Sequence, residues 1–263
     1  MKYLHSRNRA ILSEMVRTDF KVRYQNSVLG YMWSLLKPLF FFAILYVVFV
    51  YIIPLGKGVA HYPVYLLLGI VMWNFFVEST TIGAASIVAR GDLIRKISIP
   101  RYLIVVSSSF SALINLGFSL IVVFIFALFN GITPSFEWLL MIPLIIELFI
   151  FALGVSFLLS AMYVKFRDIT YIWEIVIQAG LYVTPIIYPL MTIPRQYQKY
   201  FFINPMAQII QDARYVVATN TSTTIWSTVH SYAVIIPFVV IAVVTVIGGV
   251  YFKRKSKYFA EDI

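Results

Sequence analysis

No cysteine occurs in this chain, which excludes disulfides, thiolate metal sites and cysteine nucleophiles and says nothing more about compartment. Histidine is limited to His5, His61 and His230. There is no H-E-x-x-H pair to hold a catalytic zinc, and Gly154-Val155-Ser156-Phe157-Leu158 lacks the closing glycine of a nucleophile elbow. Membrane hydrolase and metalloprotease chemistry are set aside on those grounds. A phosphate-cradling G-x-x-x-x-G-K-[ST] loop is missing, and no soluble stretch is large enough for a nucleotide-binding domain, so any ATP hydrolysis has to come from a partner. Repeats and low-complexity tracts are lacking too. Charge is scarce, at 12% of residues against 61% hydrophobic, far from the roughly 25% and 45–50% of soluble domains. Burying that much apolar surface in water is not feasible, and the remaining solvent is lipid.

What is present is six long apolar segments, 35–53, 62–89, 102–130, 136–164, 169–188 and 228–252, each meeting the roughly 20 residues that a bilayer crossing requires. The fold class this predicts is an all-α membrane protein with six transmembrane helices. A cytoplasmic N-terminus over 1–34 leads into one membrane domain over 35–252, and a basic tail covers 253–263. The first 34 residues carry Lys2, Arg7, Arg9, Arg17, Lys21 and Arg23 before any apolar run. That layout is wrong for a cleaved signal peptide, so the N-terminus is expected to be kept. A net charge of +10 would suggest nucleic acid in a soluble protein, but here its placement between apolar segments decides. Of the 21 Lys and Arg residues, only Lys57, Arg195, Lys199 and Arg214 fall opposite the N-terminus. Both termini are therefore expected in the cytoplasm.

Two pieces depart from a plain bundle. Over 12–20 the apolar Leu12, Met15, Val16 and Phe20 share one helical face, with Glu14, Arg17 and Lys21 on another. This predicts an amphipathic helix lying in the membrane interface, either as a simple anchor or as a docking element. Over 189–220, short apolar stretches are interrupted by Pro194 and Asn204-Pro205. Neither can span, which predicts a re-entrant or interfacial extracytoplasmic hairpin between spans five and six, tolerable only where its backbone packs in protein or faces water.

The run Phe20-Lys21-Val22-Arg23-Tyr24-Gln25-Asn26-Ser27-Val28-Leu29-Gly30-Tyr31-Met32-Trp33-Ser34-Leu35-Leu36-Lys37-Pro38 resembles the approach to the first span in type-2 ABC exporter permeases. The nearest group is the polysaccharide and polyol-phosphate exporters of O-antigen, capsule and teichoic acid. Phe166-Arg167-Asp168, Thr184-Pro185-Ile186-Ile187-Tyr188, Asn204-Pro205 and Phe259-Ala260-Glu261 extend the resemblance, in order, over nearly the whole chain. It implies a transport subunit rather than an enzyme, in the bacterial inner membrane, with no cofactor of its own. A homodimer would join two separate ATPase subunits that hold ATP and Mg. The implied cargo is a lipid-linked glycan on a polyprenyl diphosphate, of O-antigen type first, with teichoic acid and capsule left open. The diphosphate would meet Arg23, Lys37, Arg90 or Arg95, of which some serve only topology. Coupling to the ATPase would fall to Arg17, Lys21, Arg95, Lys96, Arg167 and Asp168. A rival of another class is a secondary transporter relaying ions or protons through Glu78, Glu147 and Glu174.

Polar and aromatic residues inside the spans give a coarse map of the inward faces. Asn74, Glu78 and Thr81 share one stripe, as do Ser108, Ser111, Asn115 and Ser119 on the third span. For the serines, close helix packing by small residues is the simpler role. Glu174, Gln178 and Tyr182 recur at i, i+4 and i+8 on the fifth span and are read as a polar path. Aromatics make up 17% of the chain, many of them interface belt or filling. Apolar pyranose faces slide over aromatic rings, so Phe42, Tyr46 and Phe49, with Tyr182 and Tyr188, are the candidates for a conduit lining.

Overall fold

The computed structural model describes residues 2–24, 30, 32–53, 56, 58–96, 99–229 and 231–259. Among these there is no β-strand; the elements are α1 (Lys2–Tyr24), α2 (Met32–Tyr46, continued by a π turn over Val47–Ile52), α3 (Tyr62–Ala89), α4 (Gly91–Lys96), α5 (Tyr102–Phe129) and α6 (Met141–Lys165). There follow α7 (Ile169–Val183), α8 (Arg195–Phe201), α9 (Pro205–Val217), α10 (Ile225–Thr228) and α11 (Ile236–Lys255). Among the described residues four stretches are long and apolar enough to cross a membrane: Tyr62–Ala89, Tyr102–Phe129, Phe136–Lys165 and Tyr232–Lys255. Two apolar helices are shorter, Leu36–Ile52 and Ile169–Val183.

The centre is α3. It packs against α2, α5, α6, α7 and α9, and Leu66, Leu67, Leu68, Ile70 and Met72 along it are fully buried. A helix with neighbours on most sides is apolar over most of its surface, as its first three turns are. Pro63 in its first turn suits a position where no intrahelical N–H partner exists.

Lipid tails are as apolar as leucine, so close backbone approach and interhelical hydrogen bonds hold such helices together. The serines of α5 serve that purpose: Ser79 Oγ donates to Ser109 Oγ at 3.1 Å, linking α3 to α5, while Ser111 Oγ returns to its own helix at Ser107 O. At the α3/α6 crossing a Cβ on Gly83 would meet Ser156 Cβ at 2.7 Å. At the α6/α11 crossing a Cβ on Gly154 would lie 2.7 Å from Thr245 Cα, and one on Gly248 would strike Gly154 O.

Two expectations need amendment. The amphipathic helix expected over 12–20 is the middle of a longer one, α1, which packs along α5 with Met15 against a cluster of Ile87, Ile104 and Val164. The fifth apolar run does not stay helical to Tyr188. It stops at Val183, because Thr184 precedes Pro185 and takes the extended backbone (φ −82°, ψ 132°) that a following proline favours. The hairpin region 189–220 is two short helices, α8 and α9, with every α9 residue except Tyr215 buried. The Ala260-Glu261 part of the ending lies outside the described residues.

Candidate functional site

The break after α7 is built from side chains. Asn204 sits before Pro205, caps α9 by accepting from Met206 N at 3.0 Å, and donates to Thr184 Oγ1 at 2.9 Å. Tyr62 OH donates to Ile187 O at 2.6 Å. Arg214, entirely buried on α9, donates to Pro185 O and Ile186 O (2.5 Å each), to Tyr65 O (3.0 Å) and to Gln211 Oε1 (3.0 Å). Non-helical carbonyls at this depth need protein donors, and one guanidinium supplies two of them. The guanidinium carbon lies 3.6 Å from the Tyr65 ring centre. Gly69 clears the space, since a Cβ there would collide with Arg214 Nη2. Sequence reading counted Arg214 only as an outside charge. No local pattern marks it, because its partners come from α3 and from the segment after α7.

Beside it on α9, Gln208 Nε2 donates to Asp212 Oδ2 at 2.9 Å. Asp212 Oδ1, Gln208 Oε1 and, on the neighbouring α6, Glu147 Oε1 are buried without a partner. Glu147, one of the three carboxylates considered as an ion relay, is thus separated from the other two. Glu174 stands exposed on α7. Glu78, in the middle of α3, accepts from Asn115 Nδ2 of α5 at 2.7 Å.

That Glu78 and Asn115 pair lines a cavity of about 810 Å³ between α2, α3 and α5, with Trp33, Lys37, Phe41 and Phe75 around it. Asn74 and Ser119 share it, whereas Thr81 faces outward. The stripes were legible separately. Their meeting was not, since the paired residues lie 37 apart in sequence.

On α7 the inward face is Trp173, Ile177 and Leu181, with Gly180 admitting the Trp73 ring and Trp173 Nε1 donating to Thr80 Oγ1 at 3.1 Å. The opposite face exposes Glu174, Gln178 and Tyr182, and Tyr171 joins them. Tyr188 OH donates to Tyr182 O at 2.9 Å, folding the broken segment back on this face. The other aromatic stripe behaves differently. Phe42 and Phe49 pack on the core, Phe42 edge-on to Phe126 at 5.6 Å. Tyr46 contacts Phe42 and Tyr51. Among the described residues no ring contact or hydrogen bond joins the α2 and α7 stripes.

At the opposite end, Arg90 forms an ion pair with Asp19 of α1 and donates to Ser107 Oγ at 3.0 Å. Lys37 lines the α2/α3/α5 cavity, while Arg95 lines a different one of about 730 Å³ with Lys96, Arg101 and Lys253. The side chain of Arg23 lies outside the described residues. Of the cations suggested for the diphosphate, Lys37, Arg90 and Arg95 therefore stand at three separate places. Arg17 and Lys21 are exposed on α1. Arg167 and Asp168 are exposed in the turn between α6 and α7, with Arg167 over the Tyr163 ring at 5.1 Å. Among the described residues no three His, Asp or Glu side chains converge as metal ligands would.

Comparison with known proteins gives a consistent picture. The sequence profile described as ABC-2 type transporter matches residues 12–218. An O-antigen export system permease protein RfbA of Klebsiella pneumoniae is 32% identical over 95% of this chain and 94% of its own. A protein of the same name from Myxococcus xanthus is 26% identical over 77% of this chain and 78% of its own. The polysialic acid transport protein KpsM of Escherichia coli is 23% identical over 76% and 78%.

Proposed function

The chain belongs to the ABC-2 type transporter family, and from that premise we propose that it is the permease subunit of an ABC exporter that moves a lipid-linked polysaccharide out of the cytoplasm. The observation that carries this is similarity over 95% of the chain to a protein named as an O-antigen export permease. O-antigen is accordingly the first choice of cargo. Capsule remains the alternative within the family, supported by the KpsM relatives, and teichoic acid is the other.

In this reading the protein sits in the inner membrane with both termini in the cytoplasm and crosses six times. The two shorter apolar helices complete the count. At 1.5 Å per residue, the 17 residues of Leu36–Ile52 and the 15 of Ile169–Val183 cover about 26 and about 23 Å of the roughly 30 Å hydrocarbon layer, and their flanking residues complete the crossing. Helices α8 and α9 form the re-entrant hairpin, supported by the burial of α9 against α3, α6 and α11. Two copies of the chain and two ATPase subunits make the complex, with ATP and Mg on the latter. The exposed Glu174, Gln178, Tyr182 face of α7 lines the conduit at the dimer axis, with Tyr46 and Tyr188, where Phe42 and Phe49 support it from behind. Arg17, Lys21, Arg167 and Asp168 face the ATPase. Lys37 meets the carrier diphosphate, and Arg90 holds α1 in place.

The test is a strain lacking this gene. It should accumulate completed lipid-linked polymer inside the cell, and the chain supplied together with its ATPase should restore surface polymer. Restoration by the chain with no ATPase subunit present would favour the secondary carrier built on Glu78, Glu147 and Glu174.

A further inference from the structure

The 730 Å³ pocket at the α4 end of the molecule brings four cations together from three parts of the chain. Arg95 and Lys96 end α4, Arg101 precedes α5, and Lys253 lies in the last turn of α11. Among the described residues no carboxylate lines the pocket, and none of the four is in an ion pair. Like charges converging on one cavity repel one another and favour an anion between them.

The rest of the wall is apolar. Phe157 of α6 and Phe252 of α11 pack ring against ring at 5.0 Å. Gly249, one turn above Lys253, has open space where a side chain would be, and the same side of α11 continues upward through the exposed Val246. The site is therefore amphipathic along the helix direction, with cations at one end and the apolar, uncrowded side of α11 at Gly249 and Val246 leading away from them.

We propose that this pocket binds the phosphate headgroup of an anionic glycerophospholipid, of phosphatidylglycerol or cardiolipin chemistry, drawn from the surrounding membrane, with one acyl chain lying along Gly249 and Val246. Basic pockets between helices at the cytoplasmic face suit such headgroups. Four converging cations disfavour a zwitterionic headgroup, whose amine would be repelled. The inference rests on the proposed orientation and goes beyond the transport reading, because the ligand is a resident lipid and not cargo. Bound there, it would tie α4 to the end of α11 through one shared anion.

Native mass spectrometry of the purified permease and ATPase complex tests this, after incubation with phosphatidylglycerol, with phosphatidylcholine, or with a polyprenyl diphosphate. The parental complex should retain phosphatidylglycerol over phosphatidylcholine. Arg101→Gln with Lys253→Gln should cut that retention roughly tenfold or more, while Arg101→Lys with Lys253→Arg keeps it. No preference in the parental complex, or equal retention by the Gln pair, overturns the proposal. So does a polyprenyl diphosphate that is retained best and displaces phosphatidylglycerol, since the pocket would then belong to the cargo. If the Gln pair is not recovered folded, the parental preference and its persistence in the charge-keeping pair decide. No readout requires transport, so a failed export assay leaves this result standing.

Discussion

The guanidinium carbon of Arg214 lies over the ring of Tyr65, 3.6 Å from its centre, and the group donates at 3.0 Å to the carbonyl of the same residue. One tyrosine on the central helix thus fixes the cation that caps the broken end of α7. The Tyr65 hydroxyl closes the loop by donating to Gln211 Oε1 at 3.1 Å, an atom that Arg214 also reaches.

Removing the cation orphans the carbonyls of Pro185 and Ile186. Arg214→Met should therefore destabilise the protein by several kcal/mol, since each unsatisfied buried group costs about 1–3 kcal/mol. Thermal unfolding in detergent measures it. Tyr65→Phe, which loses only the bond to Gln211, should cost about 1 kcal/mol.

The native chain has no cysteine, which makes a labelling scan of the outer region clean. Single cysteines at Tyr197 and Asn220, both exposed, should react quickly with a membrane-impermeant thiol reagent. Cysteines at Ile209 and Ala213, both fully buried, should react at least tenfold more slowly. Arg214→Met should abolish the difference at Ile209. Uniform rapid labelling of the parental fold would remove the re-entrant reading.

Asp168 is exposed in the turn before α7 and makes no side-chain cap to that helix. Asp168→Ala should accordingly leave membrane insertion and thermal stability within about 0.5 kcal/mol of the parent, while lowering transport-stimulated ATP hydrolysis. Unchanged stimulation in a properly inserted variant would count against its coupling role.

A polymer moving stepwise gains from weak, repeated stacking sites, and base-stacking grooves show comparable physics at about 1–3 kcal/mol per ring. Tyr182→Ala should lower polymer export severalfold with ATPase assembly intact, and combining it with Tyr46→Ala should cost more than either change alone. Phe42→Ala differs in kind. It opens a hole against Phe126 and should lower stability by about 3–5 kcal/mol if the site cannot collapse. Parental export from both tyrosine variants and their combination would reduce those rings to packing.

The helices were legible because long apolar runs have few alternatives in lipid, and Pro63 and Asn204-Pro205 mark where two of them begin. The end of α7 was misplaced because Pro185 sits within apolar neighbours, so hydropathy ran through a break that the proline itself signalled. The extent of α1 was underestimated for the opposite reason. Its first residues are polar and lend no apolar period, and its position depends on α5 and on Asp19 meeting Arg90. Arg214 and the Glu78 and Asn115 pair were beyond reach, since each is defined by partners brought in from other helices. The basic pocket was half visible, as Arg95 and Lys96 stood out while their convergence with Lys253 depends on how α11 ends.

The central claim is polymer export through this subunit, powered by hydrolysis on another. The direct measurement is ATP-dependent accumulation of lipid-linked polymer inside inverted membrane vesicles that contain this chain and its ATPase. The account predicts uptake with ATP, persistence when a protonophore collapses the ion gradient, and loss when the ATPase binds ATP but cannot hydrolyse it. Uptake that continues with the hydrolysis-deficient ATPase and stops with the protonophore would contradict it.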